Sequence, residues 1–149
     1  MKKQILLMTL IGSFITGFSF GQKIYQSQVP SVVLNQFQQN FPNAKQIEWE
    51  KKPGYYEVEF EIGMMDRDHE IWYDSTGKVL YHKEEIAKSD LPVQVTNTLK
   101  KDFKSYRIKD VKKIFRPGSV TYKMEVKSLT EEWELIIDAG GKIISQKPD

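Results

Sequence analysis

The sequence predicts an α+β fold: two tandem units, each a helix followed by four antiparallel strands, joined into one eight-stranded sheet with both helices on one face. Three observations lead there. Tyr55-Tyr56-Glu57-Val58-Glu59-Phe60-Glu61-Ile62 alternates apolar and acidic side chains, as a strand with one dry and one wet face does. Val33, Phe37 and Phe41 recur every four residues with Leu34 beside them, the spacing of an amphipathic helix. The second half of the chain then repeats the same signals in the same order, displaced by 62 to 66 positions. Chance does not reproduce a helix period, a turn and a strand period in sequence.

The elements follow in order. Residues 1–21 read as a cleaved signal peptide. Lys2 and Lys3 form a basic start, residues 5–18 are an apolar run, and Ser19-Phe20-Gly21 places small residues at −3 and −1 of a cut before Gln22. The run is shorter than the ~20 apolar residues of a spanning helix, so the expected location is periplasmic or secreted. Residues 22–28 are polar and read as a flexible arm. The domain proper spans 29–149, with units at 29–86 and 91–149.

In the first unit Pro30 opens the helix and Pro42 ends it, since a residue before proline disfavours the helical conformation. Residues 45–52 alternate with Ile47 and Trp49 inward. Lys52-Pro53-Gly54 is a turn, residues 55–62 a strand, and residues 69–74 a third strand with Ile71 and Tyr73 on one side and Trp72 on the other. Asp74-Ser75-Thr76-Gly77-Lys78 turns the chain into a fourth strand with Val79 and Tyr81 facing one way. Met64-Met65 reads as loop packed on the core. In the second unit Leu91-Pro92 matches Val29-Pro30, and Val95, Leu99 and Phe103 match Val33, Phe37 and Phe41. Arg116-Pro117-Gly118 and Asp138-Ala139-Gly140-Gly141-Lys142 repeat the two turns. One unit of about 60 residues would bury only ~60% of its unfolded surface; two that join sheet edges share a core.

Composition narrows the function. The formal charge is +2, and the leader's two lysines supply it, so the remaining chain gives no general case for nucleic acid or an anionic membrane as partner. With no Cys, disulfides, thiolate metal sites, a Cys nucleophile and a lipid-modified Cys are excluded.

The motifs Phe41-Pro42-Asn43-Ala44, Ile47-Glu48-Trp49, Tyr56-Glu57-Val58-Glu59-Phe60 and Tyr73-Asp74-Ser75-Thr76-Gly77-Lys78 resemble those of the PepSY-like, β-lactamase-inhibitor-like (BLIP-like) exported proteins, across most of the chain after the leader. The resemblance implies the two-unit BLIP-like fold, a concave open sheet face, export and a largely unknown role. Its namesake inhibitor grips an enzyme with sheet aromatics and loops. The motifs shared here define fold rather than contacts, and the lack of Cys departs from the disulfide-bearing namesake.

Chemistry is sparse. Asp66, Asp68 and His69 could hold a divalent cation, but the run lacks the glycine and distal glutamate of a calcium loop and a second histidine at ligand spacing; a charged hairpin connection is the expectation, with no metal site. His69 falls inward by parity and His82 outward. No nucleophile elbow or phosphate loop occurs, so no enzyme and no cofactor are expected. The exposed sheet face carries more. Parity places Tyr55, Glu57, Glu59 and Trp72 there from the first unit and Ile114, Arg116, Lys123 and Ile136 from the second. Residues 22–86 hold 7 basic and 11 acidic side chains, net −4, and residues 87–149 hold 13 and 9, net +4. These eight residues are the candidate contacts for an unidentified protein partner in the periplasm or outside the cell, with apolar anchors and complementary charge. The competing reading of the charges is cross-strand pairing that solvates the sheet. The alternative function is a periplasmic protein that binds a small molecule or metal ion.

Overall fold

The computed structural model describes residues 21–149; the expected leader, apart from Gly21, lies outside them. Each helix forms where the sequence places its stripe. α1 (Ser31–Asn40) starts after Pro30 and ends where the Phe41 N–H donates to the Phe37 carbonyl at 2.9 Å. α2 (Val93–Asp102) starts after Pro92 and ends in the same way at Phe103, whose N–H reaches the Leu99 carbonyl at 2.9 Å. Proline's fixed φ suits a helix start, and its missing N–H costs nothing there.

The strands are β1 (Gln22–Ile24), β2 (Lys45–Lys52), β3 (Tyr55–Ile62), β4 (Arg67–Tyr73), β5 (Val79–Glu85), β6 (Arg107–Arg116), β7 (Ser119–Lys127), β8 (Glu132–Asp138) and β9 (Ile143–Pro148). They form one antiparallel sheet in sequential order β1 to β9. The expected eight strands become nine because Gln22–Ile24, placed in the polar arm, pairs with Lys51, Glu50 and Trp49. Its backbone groups find partners on an otherwise open sheet edge, which outweighs the polarity of its side chains.

Both helices lie on one face. Paired residues in adjacent strands point the same way, and the row Val58–Ile71–His82–Phe115–Val120 crosses from β3 to β7 on that side. Val58 packs under α1 and Val120 against the cluster under α2. The apolar core, expected to be shared, is two clusters. Val29, Val33, Phe37, Trp49, Val58, Phe60, Ile71 and Tyr73 form one; Leu91, Val95, Leu99, Phe103, Val111, Tyr122, Met124, Val126, Leu135 and Ile137 form the other. The sheet runs unbroken between them through β5 and β6.

Bulges reset the strand parity that sequence alone assumes. Trp72 pairs with Tyr81 but Tyr73 with Val79, so Leu80 is the extra residue of a bulge. Val79 therefore joins the core while Tyr81 turns to the opposite face, where the sequence placed both together. The same slip carries His82, expected outward, onto the helix side. A second irregularity at β2 leaves Gln46 left-handed at φ 50°, and Ile47, expected inward, is 38% exposed. Met64 and Met65 do not pack on the core: they are 100% and 74% exposed at the β3–β4 turn.

Candidate functional site

The sheet face opposite the helices has no covering element among the described residues. Strand alternation fills it with the odd-numbered residues of β3 and the even-numbered residues of β4. After the bulge, Tyr81, Lys83 and Glu85 of β5 continue it, and Lys112, Ile114 and Arg116 of β6 follow. All eight candidate contacts face this side: Tyr55, Glu57, Glu59, Trp72, Ile114, Arg116, Lys123 and Ile136.

The register brings four of these strands together in one stacked ladder. The Tyr55 and Trp72 rings stack with centroids 4.8 Å apart, inclined by 28°, and Trp72 stacks on Tyr81 at 4.3 Å. The Arg116 guanidinium then sits 4.9 Å above the Tyr81 ring, a cation over a π face. The indole N–H of Trp72 donates to Glu70 Oε1 at 2.8 Å, and Lys83 pairs with the same carboxylate. Trp72 is thereby held rigidly: two ring faces are covered and its only donor is used. Burial works against the Lys83 charge, but the Glu70 hydrogen bond and attraction hold its pKa above the ordinary lysine value.

Flanking groups set the electrostatics. Glu57, beside Trp72 in the register, is only 9% exposed. Burial pushes its carboxyl above the ordinary range, against the pull of Lys52 3.8 Å away. Next to the ladder a hollow of about 340 Å³ is walled by Glu48, Glu59, Glu61, Asp68 and Glu70, with Lys83 at its side. Lys112 closes the hollow from β6, and beyond it the face carries Arg116 and Lys123. Ile114 is 7% exposed; its neighbours cover it, so it supports the face without presenting itself. Ile136 is half-buried next to Lys123, which pairs with Glu134 at 2.5 Å.

Three residues of this arrangement escape sequence reasoning. Tyr81 is the ring at the centre of the ladder, and Glu70 and Lys83 anchor Trp72. Glu70 was open to detection, because it lies two residues before Trp72 and so on the same face. Tyr81 was not, because Val79-Leu80-Tyr81 is apolar at three successive positions and hides the bulge. The weak cation candidates do not converge. Asp68 faces the bare side and His69 the helix side of the same strand, while Asp66 sits in the turn at φ 45°, 3.5 Å from Lys45.

A single antiparallel layer, helices on one side and a bare aromatic and charged face on the other, defines an open-faced α+β protein. The chain belongs to the family described as "Putative beta-lactamase-inhibitor-like, PepSY-like", whose model matches residues 20–81 and 54–145. Solved structures agree in fold. A BLIP-like protein from Bacteroides fragilis NCTC 9343 superposes with TM-score 0.61 at 22% identity, covering 78% of this chain and 84% of its own. A chain from Bacteroides eggerthii DSM 20697, described under "putative periplasmic proteins", gives 0.65 at 16% identity over 80% and 88%. A DUF2874 family protein from Bacteroides uniformis ATCC 8492 gives 0.62 at 18% identity over 80% and 88%. At these identities the likeness is one of fold. No curated protein matches the sequence. No helix among the described residues is long and apolar enough to cross a membrane.

Proposed function

We propose that this chain is an exported, non-enzymatic binding protein that grips a protein partner through its bare sheet face. The observation that carries this reading is the Tyr55–Trp72–Tyr81–Arg116 ladder. Trp, Tyr and Arg are the residue types that dominate binding energy at protein interfaces. Here they are immobilised before any partner arrives, which lowers the ordering cost of association. The acidic hollow beside the ladder suits a partner with a basic segment. The ladder itself suits an apolar side chain resting on the outward edges of its rings.

Two further features support the reading. The leader pattern of residues 1–21 and the periplasmic description of one structural relative favour export. Each helix is followed by four strands, and the left-handed residues Gln46 and Asp110 fall at matching bulges. We read this as a duplicated unit whose two copies have diverged in charge while keeping one continuous surface.

The test is retrieval from native envelope and secreted fractions with the chain from Gln22 onward, beside Trp72→Ala. Both proteins are first shown to melt alike. The wild type retrieves a protein that Trp72→Ala does not, and Glu59→Lys weakens that retrieval. Identical retrieval by wild type and Trp72→Ala removes the ladder as the binding element.

A further inference from the structure

We propose that His69, His82 and Glu84 form a site for one divalent transition-metal ion of the zinc class, on the helix side of the sheet at the seam between its two apolar clusters. It lies on the face opposite the aromatic ladder and does not rest on the binding role argued for that ladder.

The three residues converge through the register. His69 of β4 is paired with Glu84 of β5, and His82 precedes Glu84 by two positions on the same face. His69 Nδ1 and His82 Nε2 are 3.1 Å apart, and one ligand atom from each of the three side chains lies within 4.8 Å of the others. Around tetrahedral zinc, ligand atoms about 2.0–2.1 Å from the ion stand roughly 3.4 Å from each other. The imidazoles are thus already close to ligand spacing, and small side-chain rotations admit an ion. Without one, the short contact is a hydrogen bond in which one imidazole N–H donates.

The surroundings favour an ion over that bond. Phe60 stacks on His69 at 5.0 Å and the Phe41 ring meets His82 edge-on at 5.8 Å, so both imidazoles are confined to small rotations. Lys113 donates to Glu84 Oε1 at 2.8 Å and restrains the carboxylate, which lies within 4.8 Å of the pair. Two imidazoles and one carboxylate suit zinc, and a fourth position stays open to water or a ligand. A hollow of about 300 Å³, bounded by Met64, Arg67, His69 and Glu84, leads to it from solvent.

The test uses the untagged chain from Gln22 onward, stripped with chelator, titrated with Co²⁺ by visible absorption and with Zn²⁺ by calorimetry. One ion binds per chain, and Zn²⁺ displaces Co²⁺. His69→Gln, His82→Gln and Glu84→Gln, each checked for folding by circular dichroism, weaken binding by at least the roughly 10–100-fold that loss of a mere supporting partner costs. Glu132→Gln, in the separate Glu125–Glu132–Asp149 cluster, leaves affinity unchanged. Absence of binding at millimolar zinc overturns the site. So does binding that survives in every folded variant of the three ligands, or that Glu132→Gln abolishes.

Discussion

The clusters under α1 and α2 are built on matching backbone and filled with different chemistry. Phe37 and Leu99 each accept the hydrogen bond that ends their helix, and each points into the sheet. Under α1 the neighbours are rings: Phe37 meets Trp49 and Phe60 edge-on at 5.3 and 4.9 Å and Phe41 at 5.7 Å. Under α2 they are Met124, Val126, Leu135 and Ile137. The bare face shows a division in charge as well, acidic on β2–β4, basic on β6 and mixed on β7 and β8. One scaffold therefore tolerates two solutions for its interior, because shape and volume rather than residue type decide packing. Directional ring contacts are concentrated on the α1 side; under α2 the Phe103–Tyr106 edge-to-face pair at 5.3 Å lies at the end of the cluster.

That contrast is broken most directly in the cores. Phe37→Ala is expected to cost ~3–5 kcal/mol, including the edge-to-face contacts worth ~0.5–1.5 kcal/mol each. Leu99→Ala is expected to cost ~2–5 kcal/mol, without an aromatic contribution. Urea unfolding of both variants measures the difference. A larger loss at Leu99 would mean that the aliphatic side is the more tightly packed.

Turns separate the halves next. Gly77 and Gly141 both lie near φ +88° beneath a helix. A Cβ on Gly141 would stand 2.7 Å from the Gln94 carbonyl oxygen, whereas at Gly77 the nearest atom is the Val32 carbonyl oxygen at 3.3 Å. Thr98 Oγ1 also donates to the Gly141 carbonyl at 2.6 Å, tying α2 to its turn. Gly77→Ala should cost the ~1–2 kcal/mol of a left-handed side chain, and Gly141→Ala clearly more, since a helix backbone must move. Equal shifts in melting temperature would refute the tighter seat of α2.

Alkaline pH distinguishes the cores by a smaller margin. Tyr73, 1% exposed, has a hydroxyl pKa pushed up to about 12 by burial, and Ile137 stands in the corresponding place beside its own turn. The unfolded phenol titrates near 10. The raised folded value therefore means that Tyr73's contribution is intact below pH 10 and is lost as pH climbs from 10 to 12, at ~1.4 kcal/mol per unit. Tyr73→Phe should flatten that limb in denaturation measured between pH 9 and 11. A limb unchanged by Tyr73→Phe would place the loss elsewhere.

What the sequence reveals and hides follows from the same physics. Period 3.6, period 2 and the Pro and Gly signals are local, so both helices, their ends and the eight strands of the two expected units are legible. The position of Trp72 opposite Ile71 and Tyr73 is legible too, for it lies within one unbroken strand. A bulge is set by pairing with another strand, and no residue between Val79 and Tyr81 announces it. The ring of Tyr81 and the inward turn of His82 are hidden for that one reason. So is β1, a three-residue strand with two polar side chains that pairs only because an edge is there to receive it.

The smallest expected effect lies on the bare face, where the two charge territories meet. Arg116, from the basic side, caps a ladder that begins at Tyr55 on the acidic side. A cation over an exposed ring contributes ~0.5–1 kcal/mol, so Arg116→Ala should lower stability by about that amount. Arg116→Lys should retain part of it, since the ammonium keeps the charge but loses the planar stack. Near-ultraviolet circular dichroism adds a readout that packing loss elsewhere would not mimic, because Trp72 and Tyr81 couple through their 4.3 Å stack. If Arg116 steadies that stack, the aromatic signal weakens in Arg116→Ala while the far-ultraviolet spectrum stays constant. An unchanged aromatic signal would show that Trp72 is held by Glu70 and its two neighbouring rings alone, and that the basic half contributes charge to this face without shaping it.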